Sequence, residues 1–145
     1  MHDLQLIYPM FAMVLLTTVV LGMLFRSRVS AVQQGQVTMK FYRTYQGEAE
    51  PETPAKRARH FINLFEAPNL FYAACLAAMV THDSGLTAQI LAWLYVLTRL
   101  IHSFIHLGGN RVKYRLRAYF ASWIVLVVFW IHLVWHTATL SAMSG

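Results

Sequence analysis

Charged residues and cysteine are both scarce in this chain of 145 residues. Charged residues make up 12% of the chain, against about 25% in soluble domains. Apolar residues make up 57%, and the mean hydropathy is +0.46. This composition excludes an ordinary soluble domain and predicts an integral membrane protein. The single cysteine, Cys75, excludes an intrachain disulfide, and its apolar neighbours are typical of a packing residue rather than a reactive thiolate.

Four apolar runs are long enough to cross a bilayer as helices, which requires about 17–25 residues each. They cover Ile7–Phe25, Phe61–Val80, Leu86–Leu107 and Ala118–Leu140. The sequence shows no internal repeat or low-complexity tract that would divide the chain. We therefore predict an all-α fold in which residues 1–145 form a single four-helix membrane bundle.

The basic residues are concentrated in two of the loops between these runs. Seven of the 12 lysines and arginines lie between residues 26 and 59, and four lie between residues 111 and 117. By the positive-inside rule, the first and third loops are cytoplasmic and both termini are on the opposite side. We expect a bacterial inner-membrane protein whose termini are periplasmic. The basic loops also face anionic lipid. Because no zinc-finger spacing or aromatic-lined basic groove accompanies them, no nucleic-acid partner is predicted.

The first loop, between Arg26 and Arg59, contains glycines and prolines that break any long helix. Two interpretations of this loop remain open. In one, the loop lies solvated on the lipid headgroups. In the other, Arg26 or Arg28 faces inward and clamps an anion.

The second run begins with a polar stripe. Residues spaced i, i+4, i+7 and i+11 share one face of a continuous helix with about 3.6 residues per turn. The residues at this spacing are Arg59, Asn63, Glu66 and Leu70. An ionised group inside a membrane costs about 2.5–3.5 kcal/mol. We therefore expect Asn63 and Glu66 to point into the bundle and to meet polar partners there.

The third run carries a second polar stripe with the same spacing. Its members are Tyr95, Arg99, His102 and His106. Because an unpaired arginine inside a membrane is costly and Glu66 lies at a similar depth, we expect an ion pair between Arg99 and Glu66. Two compatible interpretations follow: a buried ion pair that orders the bundle, and a polar cavity that opens toward the cytoplasmic loops.

Histidines on the third and fourth runs raise the question of a metal site. His132 and His136 lie near the periplasmic end beside Trp130, where interfacial side chains are expected. His102 and His106 lie near the opposite membrane face, so the two pairs cannot share one ion. Since no cysteine cluster or metalloprotease spacing is present, we predict no metal site.

Two motifs resemble a known family. The pattern Arg59-x-x-x-Asn63-x-x-Glu66 entering the second run, with Arg99-x-x-His102-Ser103 in the third, is similar to the membrane-associated proteins in eicosanoid and glutathione metabolism (MAPEG). This family includes the microsomal glutathione transferases. The resemblance extends to chain length, four spans and two basic loops. It implies a homotrimer that binds glutathione between adjacent subunits, near the cytoplasmic face.

The resemblance also implies which residues contact glutathione, a tripeptide with two carboxylates, an ammonium and a thiol. Arg59 and first-loop arginines would hold the carboxylates by paired hydrogen bonds, and Glu66 would accept from the ammonium. The residues implied as glutathione contacts are Arg26, Arg28, Arg59, Asn63, Glu66, Arg99, His102 and His106.

A further cation is expected to lower the pKa of the bound thiol, which is about 8.5 in free cysteine, so that the thiolate forms. In the family, an arginine near the junction of the third and fourth spans does this. Two positions fit here. Counting without a gap from Arg99 gives Lys113, whereas aligning the Ala121-Ser122 end gives Arg115. We favour Arg115 as the catalytic cation.

The implied activity is that of a membrane-bound glutathione transferase or peroxidase that attacks a lipophilic electrophile from the bilayer. The sequence departs from the family pattern at three features. Ala67 stands where a tyrosine often follows the motif glutamate, His102 and His106 replace third-span tyrosines, and the first loop is long. The alternative function is therefore a non-catalytic bundle that serves as an accessory subunit or binds lipid.

Overall fold

The fold is helical throughout the computed structural model, which describes residues 2–47 and 49–144 and the side chains of residues 4–47 and 49–142. No strand occurs in these ranges. After a 3-10 turn at His2–Leu6, the helices are α1 (Ile7–Gln33), α2 (Phe41–Thr44), α3 (Glu52–Asn63), α4 (Ala67–Val80), α5 (Leu86–Leu107) and α6 (Val112–Ser144).

Four helical segments are long and apolar enough to cross a membrane, as predicted. They are Leu4–Gln33, Glu52–Val80, Leu86–Leu107 and Val112–Ala142. The third coincides with the predicted run, whereas the other three extend beyond the predicted runs into the basic loops. Arginine, lysine, alanine and glutamine favour helices, so much of the sequence that flanks the apolar runs is helical as well.

The second span is not one continuous helix. α3 ends at Asn63, and Glu66 is the residue that precedes α4. Pro68 explains the break, because it has no N–H to donate to the Leu64 carbonyl and its ring would clash with that carbonyl in a continuous helix. The prediction that residues 59–70 share one helical face is therefore wrong beyond Asn63.

Small side chains let the inner helices approach each other closely. Ala74 and Ala78 on α4, and Ala88 and Ala92 on α5, are all fully buried at the small-x-x-x-small spacing of packed membrane helices. α5 packs most extensively against α6 and also contacts α3. Side chains of α3 and α6 therefore surround the polar end of α5.

The first loop folds against the end of α1. Arg28 donates from Nε to Glu50 Oε1 at 3.0 Å, and its guanidinium lies 5.2 Å and 5.7 Å from the ring centroids of Tyr42 and Tyr45. Phe41 is buried beside these rings. Burial and the Glu50 carboxylate raise the pKa of the Tyr42 hydroxyl, so this phenol is neutral at neutral pH. Arg28 is thus engaged within its own loop, which packs a small cluster around Phe41 while most of its other described residues are exposed.

Candidate functional site

A polar cavity of about 390 Å³ opens at the end of the bundle that carries the basic loops. Its volume lies within the range of about 300–1,000 Å³ that is usual for small-ligand sites. The lining residues are Arg59, Ile62, Asn63, His102, His106, Arg115, Leu116 and Tyr119. They come from α3, α5 and α6. The structure therefore brings five of the predicted site residues together around one cavity.

Three histidines pack together beside this cavity. The His60 ring centroid lies 4.7 Å from that of His106 and 5.4 Å from that of His102, and all three side chains are buried. The Ser103 hydroxyl donates to the Arg99 carbonyl at 2.8 Å. Since a hydroxyl has a single hydrogen, Ser103 must accept its 2.9 Å hydrogen bond from His60 Nε2. His60 therefore carries a proton on Nε2.

The sequence analysis did not identify His60 or Ser103 as site residues. The two are 43 residues apart in the chain, and a contact between different spans leaves no mark on the periodicity of either span. One feature of the sequence could have indicated both residues, namely that each directly follows a predicted site residue. His60 follows Arg59, and Ser103 follows His102.

Arg99 is fully buried and has no ion-pair partner within the part of the chain whose side chains are described. It donates from Nη2 to the Asn63 carbonyl at 2.9 Å, whereas its Nε and Nη1 atoms have no hydrogen-bond partner in that part. Glu66 is exposed, and no ion pair with Arg99 is formed, although the Glu66 carboxylate is close enough to act electrostatically on the Arg99 guanidinium. The helix break accounts for this, because it takes Glu66 off the helical face that carries Asn63. The Arg99 charge lies behind the cavity wall that Asn63 forms.

The turn between α5 and α6 positions Arg115. A Cβ added at Gly108 would lie 2.9 Å from the Phe104 carbonyl oxygen, so glycine alone fits without a shift. Asn110 has a left-handed φ of 46°, and its Oδ1 accepts a 2.7 Å hydrogen bond from Arg115 Nη1. Lys113 is exposed and does not line the cavity. Of the two cations that the sequence left open, Arg115 is the one at the cavity.

Three other predicted glutathione contacts lie away from this cavity within the protomer. Arg26 lines a separate polar pocket of about 430 Å³ between α1 and α3. Arg28 pairs with Glu50, and Glu66 lies exposed before α4. The assignment of these three residues to glutathione stays a prediction.

An apolar groove of about 510 Å³ runs along α6 next to the cavity. Its lining residues are Leu70, Trp123, Leu126, Val127, Trp130, Ile131, Val134, Trp135 and Ala138. Tyr119 of the cavity and Trp123 of the groove have ring centroids 6.4 Å apart. The polar cavity and the apolar groove therefore adjoin along one face of α6.

At the opposite end of the bundle, two histidines converge on a buried carboxylate. His132 Nε2 lies 3.1 Å and His136 Nδ1 lies 3.6 Å from Asp83 Oδ2. The sequence analysis placed both histidines at the membrane interface and did not identify Asp83 as their partner, because Asp83 lies in a distant loop. Among the described side chains, no group of three or more histidines, cysteines, aspartates or glutamates is arranged to hold a metal ion.

We predict that Asp83→Asn will lower the free energy of unfolding by about 1–3 kcal/mol, because the change removes the buried carboxylate charge that lies close to both imidazoles. Thermal unfolding of the detergent-solubilised protein measures the effect. Glu52→Gln is the control, since it removes a carboxylate charge at an exposed position in the first turn of α3 and should cost only the helix-dipole contribution of about 0.3–1 kcal/mol. Equal effects of the two changes would show that the Asp83 contacts do not stabilise the bundle.

Comparison with known proteins identifies the family. Neither a curated protein nor a solved structure matched the chain. A sequence model described as the MAPEG family matches residues 6–135, which is nearly the whole chain. This match and the four apolar helices indicate an integral membrane protein. The chain belongs to the MAPEG family.

Proposed function

We propose that the protein is a membrane-bound glutathione transferase or peroxidase that activates glutathione as a thiolate for attack on a lipophilic electrophile. The observation that carries this proposal is the convergence of Arg59, Asn63, His102, His106 and Arg115 from three helices on one polar cavity. Membership of the MAPEG family, which includes glutathione transferases, supports the proposal.

The cavity contains the groups that a thiol with carboxylates requires. Arg59 presents a guanidinium, which binds carboxylates through paired hydrogen bonds. Asn63, His102 and His106 add neutral polar groups that position the peptide. Arg115, held by Asn110, places a second guanidinium where it favours the thiolate over the thiol. Arg115 is therefore the proposed catalytic residue.

The chemical step begins when the thiol loses its proton to water. In a transfer reaction the sulfur then forms an S–C bond, and the leaving group departs with the electrons of its bond to that carbon. In a peroxidase reaction the sulfur attacks the terminal oxygen of a lipid hydroperoxide, and a proton from water completes the alcohol that is released. A second glutathione then converts the resulting sulfenic acid to the disulfide and water.

The apolar groove on α6 supports a lipophilic second substrate. It is lined almost wholly by aliphatic and tryptophan side chains and begins beside Tyr119 of the cavity. A substrate that enters from the bilayer along this groove would reach the cavity without crossing water.

Assembly and orientation are part of the proposal. The cavity is open on one side, so a single protomer would enclose only part of a tripeptide, and we propose a homotrimer in which a neighbouring copy completes the site. We propose that the first and third loops lie in the cytoplasm and both termini in the periplasm of a bacterial inner membrane, an orientation that the positive-inside rule supports. Mass measurement of the detergent-solubilised protein tests the trimer.

Thermal stabilisation by glutathione tests the function. Glutathione at 100 times its dissociation constant should raise the free energy of unfolding by about 2.7 kcal/mol. Arg59→Gln, in the cavity wall, should reduce this stabilisation, whereas Arg111→Gln, at an exposed position outside the cavity, should retain it. No stabilisation of the wild type at millimolar glutathione would instead favour a non-catalytic accessory or lipid-binding protein.

A further inference from the structure

A second polar pocket, of about 430 Å³, lies between the end of α1 and the beginning of α3. Its lining residues are Arg26, Ser27, Ser30, Ala31, Gln34, Gln36, Thr53, Pro54 and Arg57. None of these residues lines the cavity of the candidate functional site. The sequence left open whether Arg26 or Arg28 clamps an anion, and the structure favours Arg26, because Arg28 pairs with Glu50.

Two guanidiniums face this pocket from different helices. Arg57 of α3 donates from Nη1 to the Met23 carbonyl at 2.8 Å, which uses one of its five N–H donors and holds the side chain against α1. Arg26 lines the pocket from α1 and is exposed. Neither arginine forms an ion pair with a carboxylate among the described side chains. Two arginines placed in this way bind an anion through charge-assisted hydrogen bonds.

Ser30 supplies a neutral donor to the same pocket. Gln34 Nε2 donates to the Ser30 hydroxyl oxygen at 2.9 Å, and Gln36 Nε2 donates to Gln34 Oε1 at 2.9 Å. Because the Ser30 oxygen accepts in this chain, its hydroxyl hydrogen can be donated to an acceptor in the pocket. Ser27 differs, since its hydroxyl donates to the Leu24 carbonyl at 2.7 Å. The donors of the pocket therefore suit an oxyanion with several acceptor oxygens, such as a phosphate diester.

The depth of the pocket indicates the source of such an anion. Arg26 directly follows the apolar run at residues 7–25, so it lies where the hydrocarbon of the bilayer ends. α1 continues to Gln33, and at a rise of about 1.5 Å per residue the pocket residues between positions 26 and 31 span about 8 Å. One headgroup layer of a bilayer is about 5–8 Å thick. The pocket therefore lies at the level of the lipid phosphates.

An apolar stripe on α1 continues from the pocket toward the centre of the bilayer. Gly22 lies one turn before Arg26 on the same face, and a Cβ added there would meet no atom within 4 Å. Val19 and Leu15 continue this face and are 59% and 49% exposed. The distance along the helix from Arg26 to Leu15 is about 17 Å, which is about half of a hydrocarbon core of about 30 Å. An acyl chain attached to a phosphate in the pocket therefore fits along this stripe.

We propose that the pocket between α1 and α3 binds the headgroup phosphate of an anionic phospholipid. Arg26 and Arg57 pair with the phosphate oxygens, Ser30 donates to one of them, and an acyl chain lies along Gly22 and Val19. Basic pockets between membrane helices bind anionic headgroups in this way. An anionic headgroup is preferred over a zwitterionic one, because the two arginines repel the cation of the latter. The site lies apart from the thiol cavity and does not depend on the proposed function.

Titration of the detergent-solubilised protein with phospholipid, read by native mass spectrometry, tests this assignment. We expect phosphatidylglycerol to bind at least tenfold more tightly than phosphatidylcholine. Arg26→Gln should weaken phosphatidylglycerol binding at least tenfold, because it removes a charge-assisted hydrogen bond, and Ser30→Ala should weaken it by a smaller factor. Arg43→Gln is the matched control, since Arg43 is an exposed arginine of the same loop outside the pocket, and it should bind as wild type does. Equal binding of the two lipids by wild type, or equal affinity of Arg26→Gln and Arg43→Gln for phosphatidylglycerol, would overturn the proposal.

Two soluble ligands separate a lipid from other anions. Glycerol phosphate carries a phosphate without acyl chains, and glutathione carries carboxylates. We expect phosphatidylglycerol to stay bound in millimolar concentrations of either ligand, because neither has an acyl chain that holds it at this depth. Displacement by glycerol phosphate would show that the pocket takes soluble phosphates. Displacement by glutathione would show that it takes the carboxylates of the thiol, and either displacement would overturn the assignment to a lipid.

Discussion

Arg115→Ala will lower the rate of thiol transfer by about 10²–10³-fold and leave glutathione affinity nearly unchanged. A preorganised donor that faces a developing negative charge contributes this much when it acts in the transition state. In wild type, Arg115 is held at the cavity by its hydrogen bond to Asn110 Oδ1. Alanine removes the cation from the sulfur, so the pKa of the bound thiol should rise toward its value in free glutathione.

The measurement is the ultraviolet absorbance of the thiolate against pH for the protein with bound glutathione, together with turnover of a model electrophile. Lys113→Ala is the matched control, because Lys113 is a nearby cation on the same helix that is exposed outside the cavity. We expect the control to form thiolate as wild type does. Equal thiolate formation in Arg115→Ala and Lys113→Ala would contradict the assignment of Arg115 as the activating cation.

Helical periodicity predicted which residues share a face best where the helix is uninterrupted. His102 and His106 are one turn apart on α5, which runs unbroken from Leu86 to Leu107, and both line the cavity as their spacing indicated. Composition and run length likewise predicted the four spans, because a bilayer fixes the length and polarity of a helix that crosses it. The shared face of α5 and the four spans both depend on residues that lie close together in the chain.

The prediction that Glu66 shares a helical face with Asn63 and pairs with Arg99 failed because a local signal was given too little weight. Pro68 is two residues beyond Glu66, and a proline inside a helix removes a hydrogen bond and clashes with the carbonyl four residues earlier. The break between α3 and α4 is the result, and it separates Glu66 from Arg59 and Asn63. Spacing arguments are valid only within one continuous helix.

Contacts between distant segments could not be predicted from spacing at all. The hydrogen bond between His60 and Ser103, and the approach of His132 to Asp83, each join elements that are far apart in the sequence. Their formation depends on how helices rotate and approach each other. The buried alanines of α4 and α5 set that approach through packing, which periodicity does not describe.

The buried Arg99 allows stability and ligand binding to be separated. Its guanidinium makes one hydrogen bond, to the Asn63 carbonyl, and no ion pair in the described part of the chain. A buried charge without a counter-charge destabilises a protein, and replacing it by an apolar side chain of similar size is often neutral or stabilising. We therefore expect Arg99→Met to change the free energy of unfolding by no more than about 1 kcal/mol, or to raise it. Arg99→Ala should instead lower it by about 2–5 kcal/mol, because the shorter side chain leaves a cavity.

Glutathione binding should respond differently to the same two changes. Arg99 lies behind the cavity wall at Asn63, and a bound carboxylate would supply the negative charge that Arg99 lacks. Removing this charge, which acts on a bound carboxylate across the wall and not through a hydrogen bond, should weaken binding by about tenfold in both variants. Denaturant unfolding and glutathione titration of the same detergent-solubilised samples measure the two effects.

The outcome that would contradict this prediction is a loss of about 3–5 kcal/mol of stability in Arg99→Met, which is the cost of breaking a buried ion pair. Such a loss would show that Arg99 has a counter-charge in the assembled protein even without ligand. In that case Arg99 would be a structural residue of the bundle, and the positive potential of the cavity would come from Arg59 and Arg115.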